Sequence, residues 1–209
     1  MTGNNAQPTA TQPLVTIVCI FLDEERFLRE AIESVVAQDF ANWELILVDD
    51  GSRDASGDIA AGFAAAEPRI RAIHHPGHAN RGMSASRNAG VAAGSGRYVT
   101  FIDGDDCWPE GKLTEQLAVM QAHPQIAAVF GSYRLWESWR GGEDSDTHCG
   151  VKLDCVTYPP AGLLDVYPLG PDGGGAVNVL FTREVFDRVG GFEEIFTGFY
   201  EDQAFFVKV

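Results

Sequence analysis

The sequence predicts an α/β fold: a single domain built on a mostly parallel sheet with helices on both faces. Three observations predict it. Short β-branched apolar runs alternate with segments of helical periodicity as far as Phe130. The runs are apolar throughout rather than at every second position, as strands covered on both faces must be. Polar, acidic clusters stand where three of these runs end, the edge at which open α/β sheets bind ligands.

The elements follow in order. Leu14 to Leu22 (LVTIVCIFL) reads as the first buried strand, and Glu24 to Gln38 as a helix with Phe27, Ala31, Ile32, Val35 and Val36 at helical spacing. Glu44 to Val48 is the second strand, stopped by Asp49-Asp50-Gly51-Ser52. A helix from Ala55 to Ala66 and a third strand, Ile70 to His74, come next. A loop rich in Gly, Asn and His (Pro76 to Met83) leads into a helix from Ser84 to Ala93. Tyr98 to Ile102 is the fourth strand. Pro109 suits the first turn of the helix that runs to Ala122, and Ile126 to Phe130 closes the regular pattern.

Beyond Gly131 the rhythm breaks. Ser132 to Tyr158, rich in Trp, Gly and acid, has no clean period. Pro168 to Gly175 reads as a loop, Val177 to Thr182 as a short strand, and Arg183 to Val189 as a helix stopped by Gly190-Gly191. The chain ends at Val209 within a helix-like stretch carrying Phe205 and Phe206, the pattern of a fragment truncated at its C-terminus.

Composition removes several classes of function. A chain of 209 residues, 45% hydrophobic and 22% charged, is long enough for one domain with a real core. Its net charge of −15 argues against a surface for nucleic acid or for anionic membranes, so an anionic ligand must be met locally. The N-terminus (MTGNNAQPTATQP) has no basic segment followed by an apolar one, and residues 1–12 read as a disordered tail. No apolar run approaches the roughly 20 residues of a membrane span. The expectation is a soluble cytoplasmic protein, peripheral at the inner membrane face if it meets a membrane at all. The four cysteines form no CxxC pair, which argues against a zinc ribbon. Cys19 reads as a buried free thiol, and Cys149 with Cys155 is a possible bridge, though reduced thiols are the expectation.

Four polar segments carry the chemistry. Asp103, Asp105 and Asp106 crowd three carboxylates into four positions after a buried strand, and Gly104 permits close approach. Oxygen donors of this kind suit magnesium or manganese, and few protein ligands leave positions for substrate phosphates. Asp49 and Asp50, taken alone, suit a turn and a helix cap. In HANRGMSASRNAG (His78 to Gly90), Arg81 and Arg87 flank a turn that opens a helix. Ser84 or Ser86 could cap that helix, and its free N–H groups could face an anion, or it could be a surface helix with solvated arginines. His74, His75 and His78 match no common zinc spacing and read as loop residues. Glu201-Asp202, after the aromatic segment Phe196 to Tyr200, begins a helix; the pair suits the helix dipole or, functionally, a general base.

The order DDGS, SASRNAG, FIDGDDCW, GGF and ED resembles the family 2 glycosyltransferases of the GT-A fold, Rossmann-like in architecture, over nearly the whole chain from Pro13. The resemblance implies a catalytic domain over 13–209, in which 13–130 binds the nucleotide sugar and 131–209 is an incomplete acceptor-side half. It implies an enzyme that transfers a sugar, with inversion, from a nucleoside diphosphate sugar (a UDP-sugar first) to a sugar, lipid-linked or protein acceptor, in polysaccharide or glycoconjugate biosynthesis. Asp49 and Asp50 then correspond to base and ribose recognition, Asp103 to the ribose side, and Asp105, with Asp103, to a divalent cation, Mn2+ or Mg2+. Phe21, Asp23, Arg81, Arg87, Asn88 and Gly104 fall in the nucleotide-sugar pocket, and Asp202, with Glu201 beside it, is the base.

One departure stands out: the first strand ends in Ile20-Phe21-Leu22-Asp23 where such enzymes commonly have a polar turn, leaving Phe21 only stacking or packing. Two rival readings are a non-catalytic nucleotide-sugar binder and a magnesium-dependent phosphatase with Asp103 as nucleophile. Against the second, the motif belongs to the fourth strand and Cys107 stands where a Thr or Val is expected. A receiver domain would account for Asp49-Asp50 but for none of the later motifs.

Overall fold

A computed structural model describes residues 12–147, 156, 178–196 and 201–209. Its main sheet is formed by β1 (Val15–Phe21), β2 (Trp43–Asp49), β3 (Ile70–His74), β4 (Tyr98–Asp103), β5 (Ala128–Phe130) and β8 (Val179–Thr182), in the order β3-β2-β1-β4-β8-β5. The first four strands are mutually parallel; β8 runs antiparallel to both β4 and β5. The mostly parallel sheet of the sequence reading is therefore present, with one reversed strand, β8, inserted between β4 and the edge strand β5.

The alternating side chains of the strands divide into two cores. On one face Val15, Ile17, Cys19 and Phe21 of β1 pack with Leu28, Ile32 and Val35 of α1 (Leu28–Val36), Ala60 of α2 (Ser56–Ala66) and Leu113 and Leu117 of α4 (Lys112–Ala122). On the other, Val18, Ile20, Val99 and Phe101 meet Val91 of α3 (Met83–Ala93), Val185 and Phe186 of α5 (Arg183–Val189), and Phe205 and Phe206 of α6 (Glu201–Phe206). A one-residue slip of β1 would exchange the two sets. Each large apolar side chain gains roughly 1.5–3 kcal/mol by burial, so the register is strongly fixed.

That register aligns the functional edge. Phe21 pairs with Asp49, Ile20 with Asp103 and Asp49 with His74, so the acidic strand ends lie side by side. Helix α3 reaches the sheet closely because Gly90 has no side chain: a Cβ there would stand 2.3 Å from Val18 Cγ1.

Several sequence expectations are corrected. The first helix begins at Leu28, not Glu24, because the N–H groups of Glu24 and Glu25 donate to Ser56 Oγ (2.8 Å) and Asp54 Oδ2 (2.9 Å) instead. The fourth begins at Lys112, and the Pro109 carbonyl accepts from Gln38 Nε2 at 2.7 Å. Within the patternless Ser132 to Tyr158, β6 (Tyr133–Leu135) and β7 (Ser145–Thr147) form a small hairpin. Neither Ser84 nor Ser86 caps α3; the N-cap is Gly82. Cys19 is a buried free thiol, while Cys149, Cys155 and the Pro168–Gly175 loop lie outside the described residues. Among the described residues no helix is long and apolar enough to cross a membrane.

Candidate active site

The corner after β2 is closed on itself. Asp49 Oδ1 accepts the N–H groups of Gly51 (3.1 Å) and Ser52 (2.7 Å), and its Oδ2 lies 3.0 Å from His78 Nε2. Burial alone would raise this carboxyl, but the Ser52 and His78 hydrogen bonds outweigh it and hold it below the usual range. Asp50 accepts the N–H of Arg81 at 2.7 Å and of Gly82 at 3.0 Å, with His75 Nε2 3.5 Å away. Asp50 thus takes the two N–H groups that lead into α3, while the helix itself starts at Met83. Gly51, at φ +95, permits this fold-over: a Cβ there would lie 2.9 Å from the Asn80 backbone nitrogen. Asp23 joins the corner, its Oδ1 accepting the Arg53 N–H at 2.6 Å and its own N–H donating to Ser52 Oγ.

The corner after β4 is open. Asp105 is exposed and Asp106 half-buried. Desolvation first, then the charge of Asp103, raises Asp105; desolvation with Asp103 and Asp105 raises Asp106 to about 7. Glu24, half-buried across the turn, is raised to about 7 by desolvation and by Asp105. Gly104 makes the crowding possible, since a Cβ there would stand 2.8 Å from Phe21 Cβ and 3.3 Å from Glu24 Cγ.

Among the described residues, Asp103 is the carboxylate of this corner paired directly with a cation. Arg87 of α3, 2% exposed, donates from Nη2 to both Asp103 oxygens (3.0 and 3.3 Å) and from Nη1 to Glu201 Oε1 (2.9 Å). Glu201 is buried and starts α6; the next residue, Asp202, is half-buried. Desolvation raises Asp202, partly offset by the Gln203 N–H and by Arg87.

The structure places the remaining sequence candidates differently. Phe21 is 4% exposed and packs in the core, so it stacks on no ligand. Asn88 uses its side-chain amide to clamp Phe192, donating to its carbonyl and accepting its N–H, both at 2.9 Å. Arg87 is no solvated arginine but a buried ion-pair centre. Arg81 has an exposed side chain beside Asp50. Sequence reasoning missed Glu24, signalled only by its place directly after the first strand end. It also missed the pairing of His75 and His78 with the Asp pair, for which no spacing rule exists.

For a divalent cation, the donor set has the right chemistry: carboxylate oxygens crowded at Asp103, Asp105 and Asp106, where Arg87 pairs with Asp103 and offsets only part of the repulsion on Asp106. Among the described residues no three His, Cys, Asp or Glu side chains form a ready-made metal cluster. The fit is to a cation held by one or two carboxylates and completed by substrate oxygens.

Comparison with known proteins places this geometry in context. The family described as glycosyl transferase family 2 matches residues 16–154. The putative teichuronic acid biosynthesis glycosyltransferase TuaG of Bacillus subtilis is 33% identical over 176 residues, 84% of this chain and 65% of that protein. The uncharacterized glycosyltransferase EpsJ of the same organism is 45% identical over 94 residues, 45% of this chain and 26% of that protein. The chain thus spans less than two thirds of either relative. Among solved structures, S. aureus TarS 1-349 in complex with UDP-GlcNAc aligns with a TM-score of 0.67 at 18% identity, over 93% of this chain and 52% of that one. The mannosyltransferase PcManGT from Pyrobaculum calidifontis, in complex with GDP-Man and Mn2+, gives 0.63 at 21%, over 92% and 50%. These two likenesses show the GT-A fold.

Proposed function

The chain belongs to glycosyl transferase family 2, and from that premise we propose that it moves a sugar from a nucleoside diphosphate sugar to an acceptor hydroxyl with inversion, Asp202 serving as general base. The observation that carries the reading is the placement of two unlike carboxylate groups around one edge. An uncompensated set at Asp105 and Asp106 is joined, through Asp103 and Arg87, to the helix start that bears Asp202. A donor diphosphate and an acceptor base are the two things such an edge can serve.

In this reading the loop folded over Asp49 and Asp50 shapes the wall that takes the base and ribose, and the exposed Arg81 lies on the diphosphate side. Asp105, with Asp103 behind it, would hold Mn2+ or Mg2+, which when bound supplies Lewis-acid stabilisation of charge on the leaving diphosphate. Asp202 accepts the acceptor's hydroxyl proton on a carboxylate oxygen. Partial burial favours this by raising its proton affinity toward that of a working base. Residues 13–130 form the donor half and 131–209 part of the acceptor half. UDP and GDP sugars are the donors to try first, since relatives of the fold bind them. Asp103 is a poor phosphatase nucleophile, because Arg87 engages both of its oxygens.

Calorimetry with UDP and with GDP, in manganese and in excess chelator, tests the donor side. Binding of one nucleotide that weakens at least tenfold in chelator supports it, and equal affinity in both conditions removes the cation from the proposal. Asp202→Asn is expected to abolish transfer while leaving nucleotide affinity intact. Normal turnover by that variant removes Asp202 as base.

A further inference from the structure

We propose that Arg87 is a positioning residue, a buried strut that fixes the base-bearing start of α6 against the donor-side end of β4 and makes no contact with the donor itself. The proposal rests on the reading of Asp202 as base. It concerns how that base comes to be in place in a chain whose two halves are far apart in sequence.

The geometry leaves Arg87 no other role. The side chain is 2% exposed, and both terminal nitrogens are committed to protein carboxylates: Nη2 to Asp103, 16 residues away, and Nη1 to Glu201, 114 residues away. Its Nε has no acceptor among the described residues. The guanidinium carbon lies over two aromatic rings, 5.5 Å from the ring centre of Phe192 and 5.9 Å from that of Phe101. A guanidinium fork suits this task because two donors at a fixed angle hold two acceptors in a fixed relation, which an ammonium group cannot do.

The strut is anchored at its own end. Helix α3 is pressed onto β1 at Gly90, and the neighbouring Asn88 grips Phe192 through both backbone groups. Phe192 in turn stacks on Phe205 of α6 at 4.3 Å. Helix α6 thus has two attachments to the same helix: an apolar one through Phe205, and an ionic one through Glu201. The apolar contact sits at the far end of α6, where Phe205 also packs on Phe181 and Phe186, whereas the Glu201–Arg87 pair holds the turn that carries Asp202. Because Arg87 also holds Asp103, the donor's seat and the base share one reference point.

A merely structural ion pair predicts something different, and that difference is the test. Arg87→Met leaves the Glu201 carboxylate buried without a partner and should lower Tm strongly. Arg87→Met/Glu201→Gln removes that buried charge and should recover most of the loss. Turnover, read as UDP release from a panel of UDP-sugars, is expected to stay about 100-fold down in the double variant while the Kd for UDP moves by less than about threefold. Arg87→Lys, which reaches one carboxylate at a time, should fall between. If turnover returns with stability, Arg87 is structural only and the proposal fails. If the Kd for UDP rises as much as turnover falls, Arg87 acts on the donor side, directly or through Asp103, rather than on the placing of the base, and the proposal fails. A wild-type chain that neither binds nucleotide nor releases UDP overturns the functional reading, and the strut with it.

Discussion

Two acidic corners flank β1, one at the end of β2 and one at the end of β4, and they are electrostatic opposites. At Asp49-Asp50 the carboxylates are satisfied by backbone N–H groups and histidines, and Asp49 is held below its ordinary range. At Asp105-Asp106 burial and mutual repulsion push both carboxyls up. The residue types are the same, as is the position at a strand's carboxyl end. The partners differ: a loop folds over the first corner, and among the described residues Arg87, paired with Asp103, is the cation at the second. The first corner is satisfied by the protein itself, while the second is left in a state that a cation would relieve.

The largest effect that could break this contrast comes from deleting one acid on each side. Asp50→Ala leaves the Arg81 amide without its acceptor and the Gly82 amide with Asn80 Oδ1 only, and should cost about 2–3 kcal/mol in urea unfolding. Asp105→Asn should stay within about 0.5 kcal/mol of the parent, its effect falling on cation-dependent nucleotide binding instead. Equal destabilisation by the two would end the distinction. Next in size, Gly51→Ala forces a side chain onto a φ of +95 and into the Asn80 backbone; a cost of about 1–3 kcal/mol is expected, measured in the same way.

The smallest effect is a difference in pH dependence. Glu24 has a folded pKa of about 7, above its unfolded value, so its contribution to stability falls as pH rises from the unfolded to the folded pKa. Glu24→Gln should therefore raise Tm of the metal-free protein more at pH 8 than at pH 5. Asp49 has the opposite sign: its depressed pKa adds stability above the unfolded value, which is lost as pH falls through the folded one. Asp49→Asn should lower Tm at pH 7 and converge on the parent in strong acid. Parallel pH profiles for the two variants would show that the corners are not opposites.

Much of this was legible in the sequence, and the reasons are local. Strands β1, β2 and β4 announce themselves by largely apolar runs, the edge strand β3 by its place in the alternation, and DDGS and FIDGDD mark the edge where two of them end. The start of α1 was misread because its first turn is held by Ser56 and Asp54, which lie about thirty residues away in sequence. Phe21 and Asn88 read as pocket residues because they stand beside an acidic strand end and Arg87 in the sequence, yet one faces the core and the other a backbone 104 residues on. The β6–β7 hairpin has strands of three residues, too short for any periodicity to show.

By itself, then, the sequence determined the strands, the helices between them, the edge at which chemistry gathers and the family to which the chain belongs, because each depends on spacing along the chain. Only the tertiary structure decided which carboxylates are spent on the protein and which are left for a ligand. It alone joined Arg87 to Asp103 and Glu201. A charge's role is set by what stands within a few ångströms of it, and those neighbours come from distant segments brought together by the packing of α3 and α6 on the sheet.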